Sequence, residues 1–179
     1  MNETKKITAY LGVGSNVGDR KNYLKKALKL IEKEANIEVE KVSHIYETEP
    51  WPKHEIKNGR PVENEKQNWH LNQVIRIETS LEPMELLRTL QNIEVQMGKQ
   101  QKLTWGSREI DIDLLLYDNE ILETDEIKIP HPYMQERQFV LIPLSEIAPE
   151  LIDPRSKKPF QEYLNEISEE YIVRKYEGQ

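Results

Sequence analysis

The sequence predicts an α+β protein, and three observations predict it. Two stretches repeat apolar residues every three or four positions, as amphipathic helices do. Four shorter stretches alternate, or run apolar, over the length of a strand. The six fall in the order strand, helix, strand, strand, helix, strand.

The first strand is KITAYLGV, residues 6–13, and GSNVGDR (14–20) is the loop that leads into a helix. That helix covers 20–35, where Leu24, Leu28, Ile31 and Ala35 share a face. IEVEKVSHIYE (37–47) alternates as a second strand. Residues 48–69 hold three prolines, a glycine and many charges, and read as a long loop. LNQVIRIET (71–79) is the third strand. Pro83 opens the second helix, Leu86, Leu90, Ile93 and Met97 keep its apolar face, and Gly98 ends it. REIDIDLLLY (108–117) is the fourth strand, and a further helix is expected over 135–148. Beyond Pro149 the pattern weakens, with a late strand or docked tail at 171–176. This is the order of the ferredoxin-like βαββαβ core, with a mixed, mainly antiparallel sheet, two helices on one face and C-terminal additions. That fold hosts many functions, so function must come from particular residues.

Composition narrows the classes. A chain of 179 residues suits a single domain over 1–179 and can bury a real core. Cys is absent, which excludes a disulfide framework and thiol chemistry. MNETKKITAYLGVG lacks the apolar segment of a signal peptide, and no apolar run nears the ~18 residues of a membrane span. A cytoplasmic protein without membrane partners is expected. The net charge of −7 argues against a nucleic-acid partner but permits a small anion held by local cations.

The unusual stretch is TWGSREIDIDLLLY, residues 104–117. Alternation puts Ile110, Ile112, Leu114 and Leu116 on one face, and Asp111 and Asp113 on the other with Leu115 and Tyr117. Two carboxylates so close repel each other, and burial makes that worse. A divalent cation removes the difficulty: carboxylate pairs hold Mg²⁺, which completes its shell with water and phosphate, and two ions could clamp a phosphoryl displacement. The alternative is two acids on a solvated face paired with Lys or Arg. GKQQKLTWGSR (98–108) precedes this strand, and its Lys99, Lys102 and Arg108 can meet phosphate charge. It reads as a lid or as a solvated basic loop. IPHPYMQERQF (129–139) supplies His131, between two prolines, with Arg137 and Phe139. Gly12, Gly14 and Gly18 are one residue off the dinucleotide fingerprint and read as a tight strand-to-helix turn beside a ligand. No P-loop motif occurs.

These segments, in this order, resemble 6-hydroxymethyl-7,8-dihydropterin pyrophosphokinases. The resemblance runs from about Ile7 to Asp153 through AYLGVGSNVGD, SHIYETEP, LNQVIRIETSLEPMELL, Glu94-x-x-x-Gly98, WGSREIDIDLLLY and IPHPYMQERQFVLIPLSEIAP. It implies transfer of pyrophosphate from ATP to the pterin hydroxymethyl oxygen, in folate biosynthesis, by a monomer. It further implies two Mg²⁺ ions on Asp111 and Asp113, with Lys99 and Arg108 as further catalytic groups. Pterin contacts implied are Thr48, Glu49, Trp51, His70, Asn72, Trp105 and Phe139. ATP contacts implied are Gln91, Glu94, Lys102, Ile112, His131 and Arg137. Three positions depart from the family pattern: His70 where Tyr or Phe stacks, Lys99 where Arg is common, and Thr104 where another Arg often precedes the Trp. Loop 52–68 is longer than the family leads one to expect. Loops 42–70 and 98–107 are expected to close over substrates. Two other readings are weighed. A D-x-D nucleotide-sugar transferase needs a larger nucleotide domain, and a ferredoxin-like small-molecule sensor leaves Asp111 and Asp113 without a purpose.

Overall fold

A computed structural model describes residues 5–50, 69–99, 109–167 and 171–178, and the backbone of 54–57 and 60–63. The elements are β1 (Ile7–Ser15), α1 (Arg20–Glu32), β2 (Ile37–Val42), β3 (Tyr46–Thr48), β4 (His54–Lys57), β5 (Arg60–Glu63) and β6 (His70–Thr79). They continue with α2 (Pro83–Gln96), β7 (Asp111–Tyr117), β8 (Leu122–Glu123), β9 (Lys128–Ile129), a 3₁₀ turn at Met134–Glu136, α3 (Gln138–Ile147), α4 (Phe160–Glu166) and β10 (Val173–Lys175).

The main sheet runs β10-β3-β6-β1-β7, with β2 lying further along the same side of β6 as β3. Every pairing described in it is antiparallel, so the ferredoxin-like order of the sequence holds. The expected second strand divides in two. Val39 and Lys41 slip register against β6, and Ser43 then takes over the pairing. Its N–H donates to the Val74 carbonyl at 2.9 Å, and its Oγ accepts the Val74 N–H at 3.0 Å. A side chain that replaces a ladder partner bends the strand there. The expected long loop contains the β4–β5 hairpin. The expected helix over 135–148 begins three residues later, after the 3₁₀ turn. The late strand exists as β10, while α4 and the β8–β9 hairpin had no counterpart in the sequence pattern.

Local chemistry sets the helices. Asp19 caps α1 by accepting the Asn22 N–H at 3.1 Å. Glu85 accepts the Glu82 N–H at 3.0 Å at the start of α2, and Gly98 leaves α2 at φ 92°. Leu86, Leu90 and Ile93 are fully buried on α2, each contributing about 1.5–3 kcal/mol of apolar burial. The helices α1 and α2 cover one sheet face, over Leu11, Val13, Leu71, Ile75 and Ile112. On the opposite face α3 packs on Val74 and Leu115, and Phe160 of α4 closes that core. No helix among the described residues is long and apolar enough to cross a membrane.

One face assignment is corrected. Tyr10 faces Leu116 but Leu11 faces Leu114, so Leu115 is the extra residue of a β-bulge. The bulge shifts the period-two alternation by one. Ile110, Ile112 and Leu114 lie under α1 and α2 as expected. Leu116 instead joins Tyr10 beneath α3, and Tyr117 crosses to the α1/α2 side, its OH donating to the Leu81 carbonyl at 2.9 Å.

Candidate active site

Register assembles the site on the sheet face that carries α3. Tyr46 of β3 lies opposite Asn72 of β6, Asn72 opposite Gly14 of β1, and Gly14 opposite Asp111 of β7. In the next row Val74 faces Gly12, and Gly12 faces Asp113. His70 faces Thr48. Adjacent strands sit about 4.8 Å apart, which sets Asn72 and Asp111 about 10 Å apart across β1. Between them the floor is glycine. The strand runs on through Gly14 and Ser15, so Gly12 and Gly14 are not the turn that their spacing suggests; the turn is at 16–19. A Cβ at residue 14 would come within 2.8 Å of Asn72 Oδ1. Glycine there keeps that amide in place.

On the β6 side, Asn72 Nδ2 donates to Thr48 Oγ1 at 2.8 Å. Thr48 is buried, while His70 and Asn72 are half-buried and open toward the cleft. This orients the amide with its carbonyl toward β1.

On the β7 side, Glu94 is buried, and its Oε1 accepts the Ile112 N–H at 2.7 Å. Lys99, in the turn after α2, donates to Glu94 Oε2 and to Asp111 Oδ1, both at 2.8 Å. Burial pushes the Glu94 carboxyl above its usual range, opposed by Lys99 and the Ile112 amide. The Lys99 ammonium is held above its usual value: burial works against the charge, and Asp111 and Glu94 outweigh it. Asp113 is open to solvent at the cleft surface, and the protein atoms around it desolvate it in part. That desolvation raises its carboxyl. Asp111 adds to the rise, while His131, Arg137 and Lys99 oppose it.

The β-bulge at Leu115 serves this end of the cleft. Its carbonyl accepts the His131 N–H at 2.8 Å, docking the segment after β9 against β7. His131 Nδ1 lies 2.8 Å from the Pro132 carbonyl. A carbonyl only accepts, so Nδ1 carries the proton and Nε2 is the nitrogen left for the cleft in the neutral ring. Arg155 Nη2 donates to the Pro130 carbonyl at 2.9 Å and braces the same corner. No sequence pattern pointed to Arg155, because its partner is a distant backbone group. Arg137 packs 5.8 Å from the Phe139 ring, and burial lowers its guanidinium from the usual value.

The expected residues therefore divide. Thr48, His70 and Asn72 stand on one side of the glycine floor. Asp111, Asp113, Lys99 and Glu94 stand on the other, with the charges of His131 and Arg137 acting on Asp113 and Phe139 packed beside Arg137. Gln91 lies exposed one turn before Glu94 on α2. The Ile112 side chain points into the α1/α2 core, so only its backbone borders the site. Glu49 Oε2 accepts the Ile172 N–H at 3.0 Å and so serves the C-terminal segment. Trp51, Lys102, Thr104, Trp105 and Arg108 lie outside the described residues, as does most of the loop expected to close at 98–107.

The donors suit a hard cation. Asp111 and Asp113 offer carboxylate oxygens from one rigid strand toward the same cleft, at the i, i+2 spacing. Among the described residues no group of three or more His, Asp or Glu could hold a metal. A pair is what a site completed by phosphate and water requires.

Residues 10–149 match the family described as 7,8-dihydro-6-hydroxymethylpterin-pyrophosphokinase. A 2-amino-4-hydroxy-6-hydroxymethyldihydropteridine pyrophosphokinase of Aquifex aeolicus is 42% identical over 156 residues, covering 87% of this chain and 89% of its own. The protein of the same description from Bacillus subtilis is 45% identical over 139 residues, 78% of this chain and 77% of its own. In fold, the chain is similar to the HPPK-DHPS of Plasmodium falciparum, with TM-score 0.68 and 20% identity over 93% of this chain. It spans only 44% of that solved chain. Sequence identity along most of both bacterial relatives, and the match over residues 10–149, establish that this chain belongs to the 7,8-dihydro-6-hydroxymethylpterin-pyrophosphokinase family.

Proposed function

We propose that this cleft moves an intact pyrophosphoryl group from ATP to the hydroxymethyl oxygen of 6-hydroxymethyl-7,8-dihydropterin, in tetrahydrofolate biosynthesis. The substrate oxygen forms a bond to the β-phosphorus. The bond from that phosphorus to the oxygen bridging it to the α-phosphorus breaks. AMP leaves with the bridging oxygen, the pterin diphosphate forms, and the hydroxyl proton passes to water. The observation that carries this reading is the division of one sheet face: hydrogen-bonding and stacking side chains on β3 and β6, two carboxylates on β7, and bare glycine between. A flat heterocycle and a metal–phosphate group then meet over β1.

On the β6 side, the Asn72 amide reads a ring edge because it can donate and accept together. Thr48 holds that amide, and His70 and Phe139 supply the stacking faces. On the β7 side, Asp111 and Asp113 would hold Mg²⁺, two ions in this reading. Bound there, Mg²⁺ neutralises phosphate charge and lowers the pKa of a hydroxyl beside it. Lys99 and Arg137 add positive charge toward the phosphates, joined by His131 when its ring is protonated. Glu94 anchors Lys99, and Ile112 contributes backbone only. The resemblance assigns Lys102, Arg108 and Gln91 to ATP and its phosphates, and Glu49, Trp51 and Trp105 to the pterin side. The protein acts as a monomer in the cytoplasm, with ATP and the pterin as its partners.

Phosphorus NMR of the protein with ATP, Mg²⁺ and the pterin tests this. AMP together with a pterin diphosphate is expected. ADP as the product would overturn it.

A further inference from the structure

The family match ends at residue 149, yet the chain continues and adds β10 to the sheet. Val173 lies opposite Thr48, Arg174 opposite Glu47 and Lys175 opposite Tyr46. The Glu49 N–H donates to the Ile172 carbonyl at 3.2 Å, and the Tyr176 N–H to the Ile45 carbonyl at 2.8 Å. Lys21 Nζ donates to the Gly178 carbonyl at 2.7 Å, tying the end of the segment to α1.

The side chains make a clasp on the sheet face opposite the cleft. Arg174 Nη2 donates to Glu47 Oε2 at 2.9 Å, and Arg20 Nη2 to Glu47 Oε1 at 3.0 Å. Arg20 Nη1 donates to the Trp69 carbonyl at 2.6 Å. The Arg174 guanidinium stands 5.1 Å from the Trp69 ring centroid. Each point that the clasp grips is one residue from a cleft residue. Glu47 precedes Thr48, and Trp69 precedes His70. Alternation makes the two faces of β3 a single lever: a shift of Glu47 moves Thr48, and Thr48 holds Asn72.

Arg20 of α1 grips the same two points as Arg174. A cavity of about 470 Å³ opens beside the clasp, lined by Asn16, Gly18, Arg20, Glu47, Trp69 and Arg174. The strand β3 is three residues long, and such short strands near an edge open easily. The Arg174 side chain is 63% exposed, so its pairing adds little to global stability. What it fixes is position.

We propose that the C-terminal strand is a positioning element for the pterin side of the cleft, with Arg174 acting through Glu47 on Thr48 and through Trp69 on His70. This rests on the assignment of Thr48, His70 and Asn72 to the pterin.

The test is steady-state kinetics of Arg174→Gln, Arg174→Lys and Asn72→Ala in the full chain, each substrate varied in turn, with melting temperature measured alongside. Arg174→Gln is expected to raise KM for the pterin about tenfold, within the range by which positioning residues modulate a site. KM for ATP, kcat and the melting temperature should stay near those of the parent protein. Arg174→Lys keeps the charge but not the forked, stacked geometry, and should fall between the two. The proposal is overturned if pterin KM is unchanged in Arg174→Gln while Asn72→Ala raises it. It is also overturned if both KM values, kcat and melting temperature move together, since that marks a stabilising role alone. If Asn72→Ala leaves pterin KM unchanged, the pterin-side assignment itself fails, and the proposal with it.

Discussion

Lys99 Nζ stands 2.8 Å from Asp111 Oδ1 and 2.8 Å from Glu94 Oε2, bridging a cleft carboxylate and a buried one. The ammonium thus acts as the resident counter-charge of the acid that faces the phosphates. A divalent cation approaching Asp111 meets that charge first and must compete with it. Lys99→Met removes the competitor. The variant should bind Mn²⁺ about tenfold more tightly in the absence of nucleotide, the scale of one well-screened charge interaction at contact distance. Electron paramagnetic resonance of free Mn²⁺ during titration measures this. Unchanged affinity would mean that Lys99 does not neutralise Asp111 in solution.

The carboxylates themselves bear a larger load. Asp111→Asn and Asp113→Asn keep the shape of the strand but remove the charge that holds a cation. Each should lower kcat by about a thousandfold, as loss of a principal electrostatic contact in a transferring site does. Asp113→Asn should also stabilise the fold slightly at neutral pH. The folded-state pKa of Asp113 is raised, chiefly by desolvation. Its penalty is therefore absent below the unfolded pKa of about 3.9 and complete above the raised folded value. Thermal melts of the two variants at pH 7, beside turnover, separate the effects. Wild-type turnover in both would remove the metal site from β7.

Much of this site was legible in the sequence because its signals are local. Leu86, Leu90 and Ile93 mark α2 by their own spacing, and Asp111 and Asp113 share a face at any i, i+2 in a strand. What was hidden depends on pairing. The bulge at Leu115 exists only against Tyr10 and Leu11 of β1, so nothing within LLLY announces that Leu116 and Tyr117 change faces. Gly12 and Gly14 look like a turn until Asn72 and Asp111 flank them. Arg174 and Glu47 are 127 residues apart, and no window along the chain holds both. Resemblance, not spacing, supplied His70 and the roles given to Phe139 and Arg137.

A second clasp gives a pH dependence whose sign can be worked out. Glu146 of α3 accepts the Tyr46 OH at 2.7 Å and the His44 N–H at 3.1 Å, and its Oε1 lies 2.5 Å from His44 Nδ1. Burial works against its charge, yet the bonds from Tyr46 and His44 hold the carboxyl below its usual range. A lowered folded pKa means that the unfolded chain binds the proton more readily. The stabilisation is therefore complete above the unfolded pKa of about 4.3 and is lost as pH falls through the folded value. Tyr46 is pushed up to about 12, first by burial and then by Glu146. Its contribution is complete below the unfolded value of about 10 and is lost as pH rises through the folded one. Glu146→Gln should cost about 1 kcal/mol at pH 7, the worth of a charge-assisted bond at a partly exposed site. That difference from the parent should shrink in denaturant titrations as pH falls below about 4.3 and vanish once pH passes below the lowered folded value. A constant difference across that range would mean that packing, not charge, joins α3 to β3.

Gly14 offers the sharpest test of the glycine floor. A methyl group at residue 14 would lie 2.8 Å from Asn72 Oδ1, closer than real Cβ contacts allow. The backbone at 14 is ordinary strand, so Ala adds no conformational strain of its own. The conflict falls on the Asn72 amide, which must rotate away from Thr48 or push β6 outward, at about 1–3 kcal/mol for an overpacked contact. Gly14→Ala should therefore raise pterin KM about tenfold or more. The nucleotide-free Mn²⁺ affinity of Asp111 and Asp113 should stay unchanged, because those side chains leave from the next strand. Steady-state kinetics with the pterin varied, paired with Mn²⁺ titration, read the two sides separately. If pterin KM stays at the parent value, the ring does not lie over β1, and Asn72 is a structural amide that holds β3 to β6. If Mn²⁺ affinity falls as well, residue 14 governs the spacing of the whole sheet rather than the placement of one side chain.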